Sequence, residues 1–189
     1  MLRVAIFDNM SLCTAEEVQK MLPLVSAQRR ENALKYKHVF GQWAALKSWM
    51  MWESLVDGPR SLEWKFNEYG KPYIGGGPEF SISHCKEGIA VAVDDKPIGI
   101  DIESIRKADE ALIQRTMNIA EQQEIAAAEK PEVAFTALWT RKEAYLKYLG
   151  TGIIDDLHHV LEHAENVQFE TVIKEKYVYT ICYEKDIPC

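Results

Sequence analysis

The sequence predicts an α+β fold with mainly antiparallel pairing. Short alternating or β-branched runs near both ends and in the middle carry that prediction, because period-two patterning marks strands. Long stretches of helical spacing lie between them, and the strand runs come in pairs separated by short turns, as hairpins do. The elements follow in order. Residues 2–7 read as a first strand, and residues 14–22 as a short helix ended by Pro23. A long helical region runs from about Ser26 to Leu55, with apolar positions at Trp43, Leu46, Trp49, Met50 and Leu55. Gly41 is a candidate break inside it, and Asp57-Gly58-Pro59 stops it. Leu62–Phe66 reads as a strand, followed by a Tyr69–Pro72 turn and a glycine-rich loop at 75–77. Glu79–His84 and Ile89–Val93 form a hairpin about Cys85–Gly88, and Lys96–Glu103 is a further strand. Helices are expected over Asp109–Met117, Ala120–Glu129 and Pro131–Leu149, the last closed by Gly150. Val167–Ile173 and Tyr177–Tyr183 pair around Lys174–Lys176.

Composition narrows the function. With 22 basic against 29 acidic residues the net charge is −7, which argues against a general nucleic-acid binder. The four cysteines (Cys13, Cys85, Cys182, Cys189) include no C-x-x-C pair, which fits a reducing cytoplasm better than a disulfide scaffold or zinc ribbon. Asp8 interrupts what would be the apolar core of a signal peptide, and no run reaches the roughly 18 apolar residues of a membrane span.

Three segments carry candidate chemistry. In Ile98-Gly-Ile-Asp-Ile-Glu103 the isoleucines share one strand face, and Asp101 and Glu103 project together from the other. Neighbouring carboxylates repel unless a cation sits between them, and Mg²⁺ prefers oxygen ligands; a solvated acidic face is the plainer alternative. In the helix 135–149 the apolar arc holds Phe135, Leu138, Tyr145, Leu146 and Leu149, with Lys142 in its middle. Trp139, Glu143 and Lys147 border that arc at i, i+4 and i+8. Lys142 either snorkels outward or meets a buried anion. Phe80-Ser-Ile-Ser83-His84 ends at a turn, where both polar groups suit a phosphate oxygen or a plain polar terminus. The window Arg29–Lys47 is locally basic, as an anion site or as a solvated helix face. His158, His159 and His163 lack a zinc motif and read as a surface cluster.

Taken in order, Gly70-Lys71-Pro72, Phe80–His84, Gly99–Glu103 and Trp139-Thr-Arg-Lys-Glu143-Ala-Tyr-Leu-Lys147 resemble the 4′-phosphopantetheinyl transferase superfamily. The resemblance is closest to its single-chain, surfactin-synthetase-activating type and is strongest from about residue 64 to 152. It implies two similar α+β halves, 1–95 and 96–189, packed as a pseudo-dimer in a monomer with internal pseudo-two-fold symmetry. It further implies transfer of phosphopantetheine from coenzyme A to a serine of an apo acyl or peptidyl carrier protein. Asp101, Glu103 and Glu143 would bind Mg²⁺, and Glu121 and Lys147 would act in catalysis. Lys142, Lys147, Lys71, Ser83 and His84 would hold coenzyme A. Arg29 and Lys47 would also hold coenzyme A, Lys47 as a substitute for an arginine the family often carries near Gly41–Ala45, where this chain has Gly-Gln-Trp-Ala-Ala. An acidic carrier would meet Arg106, Lys107 and Arg115, with Leu112, Thr116 and Met117 as the apolar part of the contact. A Mg²⁺-dependent hydrolase of a pyrophosphate or holo-carrier, and a non-catalytic binder, remain the competing readings.

Overall fold

Two three-stranded antiparallel sheets carry the chain, and each is built from one strand, a helical insertion and a hairpin. The computed structural model describes residues 1–56, 64–152 and 156–185. The first sheet contains β1 (Arg3–Phe7), β4 (Glu79–Cys85) and β5 (Gly88–Asp94) in the order β1-β5-β4. Its insertion holds α1 (Ala15–Met21), α2 (Ala27–Leu34), α3 (Val39–Leu55) and a small hairpin of β2 (Lys65–Phe66) and β3 (Pro72–Tyr73). The second sheet contains β6 (Ile98–Ser104), β7 (Val167–Ile173) and β8 (Tyr177–Glu184) in the order β6-β8-β7. Its insertion holds α4 (Glu110–Thr116), α5 (Ile119–Ala127) and α6 (Pro131–Leu149). Both sheets thus place the last strand between the first and the middle one.

Alternation along the strands distributes the core. Ile89, Val91 and Val93 of β5 face α3, whose Trp43, Leu46, Trp49 and Trp52 are buried against them. Ala90 and Ala92 point the other way and meet Ile98, Ile100 and Ile102 of β6. The two sheets therefore share an apolar layer, joined also by Tyr177 and Ile181. Tyr177 donates its hydroxyl to Asp8 Oδ2 at 2.9 Å, tying β8 to the end of β1. No helix among the described residues is long and apolar enough to cross a membrane.

Three sequence expectations change. The long helical region breaks at residues 35–38 and not at Gly41, which lies inside α3. A Cβ at Gly41 would come within 2.8 Å of the Tyr36 ring, so this glycine marks a close contact and no helix end. Leu149, expected in the apolar arc of α6, is 47% exposed in the last turn, directly before Gly150 caps the helix at φ 72°. The expected strand 62–66 is a strand only at Lys65–Phe66; residues 62 and 63, like the proposed stop at 57–59, lie outside the described residues.

Gly99 sets how closely α6 approaches β6. A Cβ there would fall 1.8 Å from the Ala144 carbonyl oxygen and 2.5 Å from the Tyr148 nitrogen, both backbone atoms that cannot swing aside. Gly99→Ala is therefore expected to lower stability by at least about 1–3 kcal/mol through overpacking. Gly75→Ala, with nothing within 4 Å of its added carbon, is expected to be near neutral. Urea unfolding of the two variants checks the contrast; equal midpoints would refute it.

Candidate active site

The edge strands of the two sheets lie side by side, and serines join them. Ile100 N–H, an edge donor with no strand partner on that side, donates to Ser81 Oγ at 3.1 Å. Two residues on, Ser83 Oγ donates to Asp101 Oδ1 at 2.7 Å. The alternation that buries Ile98, Ile100 and Ile102 turns Asp101 toward α6, where Lys147 Nζ donates to the same Oδ1 at 2.6 Å. Lys147 therefore reaches across to β6 and forms no helix pair with Glu143.

A cavity of about 810 Å³ opens at this junction. Asp101, Glu103, Glu143, Lys147 and Trp139 form its second-half wall; Arg29, Lys35, Ser83 and His84 belong to its first-half wall. Phe66, Gly70 and Pro72 of the small hairpin complete it. The Arg29 guanidinium lies over two indoles that also contact each other, 4.1 Å from the ring centres of both Trp49 and Trp64. His84 meets Phe40 edge-on. The packed walls, with a smaller contribution from Lys147, hold its pKa below the ordinary histidine value, although part of the ring stays exposed.

The carboxylates strain against one another. Burial first, then the Asp101 charge, raises the pKa of Glu103; Trp139, Lys147 and Arg106 draw it partly back. Burial and Asp101 likewise raise Glu143, against Lys147. Asp101 is 2% exposed, and its Oδ2 is buried without a hydrogen-bond partner among the described residues. An orphaned carboxylate oxygen is costly unless something positive completes it. Among the described residues no group of three or more His, Cys, Asp or Glu side chains is placed to hold a metal ion together. The donor set still fits Mg²⁺, which commonly takes one or two protein carboxylates and fills its shell with water and substrate phosphate.

Several expected site residues lie elsewhere. Lys142 is 1% exposed and does not line the cavity. Its Nζ donates to Glu121 Oε2 at 2.7 Å, to Leu157 O at 2.7 Å and to Thr116 O at 3.0 Å, so all three protons are taken. The buried anion it meets is a side chain. Glu121, expected in catalysis, likewise does not line the cavity, and its Oε2 also accepts from Asn118 N–H in a capping box that starts α5. Lys47 lies 4.0 Å over the Phe7 ring and does not line the cavity, whose first-half wall takes its side-chain cations from Arg29 and Lys35. Lys71 donates to the carbonyls of Ile98 (3.3 Å) and Tyr148 (3.4 Å), and lines an adjoining cavity of about 450 Å³ that also includes Glu143 and Lys147. Burial lowers its pKa. Thr116 and Met117, expected at a carrier contact, are buried. His159 is exposed and bonded to Glu162 at 2.9 Å. Sequence reasoning missed the indole pair against Arg29, for which no local signal exists. It also gave Trp139 no role, although its i, i+4 spacing to Glu143 placed it on the cavity border.

Comparison with known proteins follows the same region. The family model described as the 4′-phosphopantetheinyl transferase superfamily matches residues 97–188. A 4′-phosphopantetheinyl transferase of Bacillus subtilis is 32% identical over 149 residues, 74% of this chain and 66% of the relative. The 4′-phosphopantetheinyl transferase psf-1 of Bacillus pumilus is 29% identical over 147 residues, 73% of this chain and 63% of the relative. The 4′-phosphopantetheinyl transferase Sfp of Bacillus subtilis (strain 168) is 27% identical over 183 residues, 90% of this chain and 82% of the relative. The chain spans slightly less than two thirds of the first two relatives.

The Lys142–Glu121 pair generates a stability test. Removing one partner leaves the other charge buried, so Lys142→Met or Glu121→Gln is each expected to cost about 3–5 kcal/mol. The double variant is expected to cost clearly less than the sum. Denaturant unfolding of all three checks it, and simple additivity would mean that the two side chains do not interact.

Proposed function

We propose that this chain, a member of the 4′-phosphopantetheinyl transferase superfamily similar to its surfactin-synthetase-activating type, moves 4′-phosphopantetheine from coenzyme A to a serine of an apo carrier protein. The observation that carries this reading is one cavity with two chemically different ends. Arg29 and Lys35 supply cations on one wall, and Asp101, Glu103, Glu143 and Lys147 face them across the junction of the two halves. Such a cavity suits an elongated, multiply phosphorylated donor. The shared strand order supports a pseudo-dimeric arrangement of the halves about that cavity.

In this reaction the carrier serine Oγ attacks the phosphorus that bears pantetheine. The pyrophosphate P–O bond breaks, and adenosine 3′,5′-bisphosphate leaves with the electron pair. One or two of Asp101, Glu103 and Glu143 would hold Mg²⁺, with water and the donor's phosphates completing its shell, and the ion would supply positive charge to the pyrophosphate as the bond breaks. Lys147 turns from Asp101 to a phosphate oxygen, and His84 donates from the opposite wall while Ser83 keeps its hydroxyl on Asp101. His84, with its depressed pKa, is neutral at pH 7 and donates from one ring nitrogen. With Glu121 held by Lys142, the carboxylates facing the cavity are the ones in reach of the serine proton. Positioning and electrostatics do most of the work.

Mass spectrometry of an apo carrier incubated with coenzyme A and Mg²⁺ is expected to show one added phosphopantetheine. Loss from a holo carrier would favour the hydrolase, and no change in either would leave a binder. Lys147→Ala is expected to weaken coenzyme A binding by about 1.5–3 kcal/mol in a calorimetric titration. Near-zero change would confine Lys147 to a structural role.

The metal has a test that needs no turnover. Glu103 and Glu143 have raised pKa values in the folded chain, so the folded state holds their protons more tightly than the unfolded state. Their mutual repulsion is absent below the unfolded carboxylate range, about pH 4, and grows as pH rises through the folded values. Mg²⁺ is therefore expected to raise the Tm at pH 7–8 and to lose that effect near pH 4. Asp101→Asn is expected to remove most of the neutral-pH increment. A Mg²⁺ effect equal at both pH values would sink the assignment.

A further inference from the structure

The β2–β3 hairpin is exposed along most of its length, yet it supplies Phe66, Gly70 and Pro72 to the cavity wall. One side chain determines its shape and its anchorage. Asn67 Oδ1 accepts from the backbone N–H of Lys71 at 2.8 Å and of Tyr69 at 3.0 Å, which folds the turn. Asn67 Nδ2 donates to Gly150 O at 2.8 Å, at the C-terminal end of α6. That carbonyl is free to accept because Gly150 has turned into the left-handed region and ended the helix. Lys71 ties the same hairpin to Tyr148 O and Ile98 O with longer bonds. Asn67 thus links a wall of the first half to the helix that carries Glu143 and Lys147.

We propose that Asn67 is a positioning residue, a clasp that holds the 65–73 hairpin against the end of α6 and so fixes the width of the cavity for coenzyme A; this rests on the transferase reading. The helix itself is held by its close packing on Gly99, so releasing the clasp moves the hairpin and leaves the reacting carboxylates in place. The effect belongs in donor binding and not in the chemical step.

Asn67→Asp tests this on the full chain. It keeps the Oδ1 acceptor that folds the turn and replaces the Nδ2 donor with an oxygen facing the Gly150 carbonyl. The expected result is at least a fivefold rise in the coenzyme A KM, kcat within twofold of wild type, and at least tenfold faster hydrogen exchange over residues 65–73. Asn67→Ala, which adds no charge, is expected to shift KM and exchange in the same direction. Unchanged exchange in both variants overturns the clasp. Faster exchange or a lower Tm with unchanged KM also overturns it, because Asn67 would then be only structural. If wild type shows no transfer, calorimetric binding of coenzyme A replaces KM. A fivefold weaker Kd with faster exchange then supports the clasp while the transferase reading fails, and an unchanged Kd overturns both.

Discussion

Helix α6 lies so close to β6 that position 99 has no room for a single carbon beyond its backbone. The cavity's chemistry depends on that approach. Only at this spacing does Lys147, two residues short of the helix end, reach Asp101 on the strand. Only there do Glu143 and Glu103, one from each element, open onto the same space. A larger side chain at 99 would push the helix away and separate the charges. Glycine in a strand interior weakens the strand itself, so its use here exchanges local stability for close contact.

The division of labour between the halves follows from their edges. An unpaired strand edge invites further pairing, and β4 and β6 are both edges. They meet without forming a common backbone ladder, through Ser81 and Ser83. Because hydroxyls replace ladder bonds, the seam leaves room for a cavity above it while its lower part is sealed by isoleucine and alanine. The ligand-facing groups of the first half are then donors, and those of the second half are mostly acceptors. A phosphorylated molecule between them completes both.

Much of this was legible in the sequence, and what was not has a common cause. Period two placed Asp101 and Glu103 on one face, and period 3.6 placed Trp139, Glu143 and Lys147 on one border; both are local rules that survive folding. The two terminal strands and the helix 131–149 were read to the residue or nearly so. What the sequence did not disclose concerns side chains whose partners are distant in sequence. Lys142 was marked as anomalous, but its anion lies 21 residues away on another helix, and no spacing rule distinguishes Glu121 from a phosphate. Lys47 reaches a ring on β1, and Arg29 reaches two indoles on separate elements. Gly41 misled because glycine signals both helix ends and tight contacts; only the position of Tyr36 separates them.

The tryptophans that line the cavity have a use beyond packing. Of the five in the chain, Trp64 lies on the first-half wall and Trp139 on the second, each beside charged groups. Trp64 stacks with the Arg29 guanidinium, and Trp139 faces Glu103. Indole emission responds to the field of nearby charges, so a phosphate that draws on Arg29 and a cation that settles at Glu103 perturb different chromophores. The protein carries a native optical reporter on each side of its cavity, and replacing Trp64 or Trp139 with phenylalanine removes that side's contribution against the constant background of Trp43, Trp49 and Trp52.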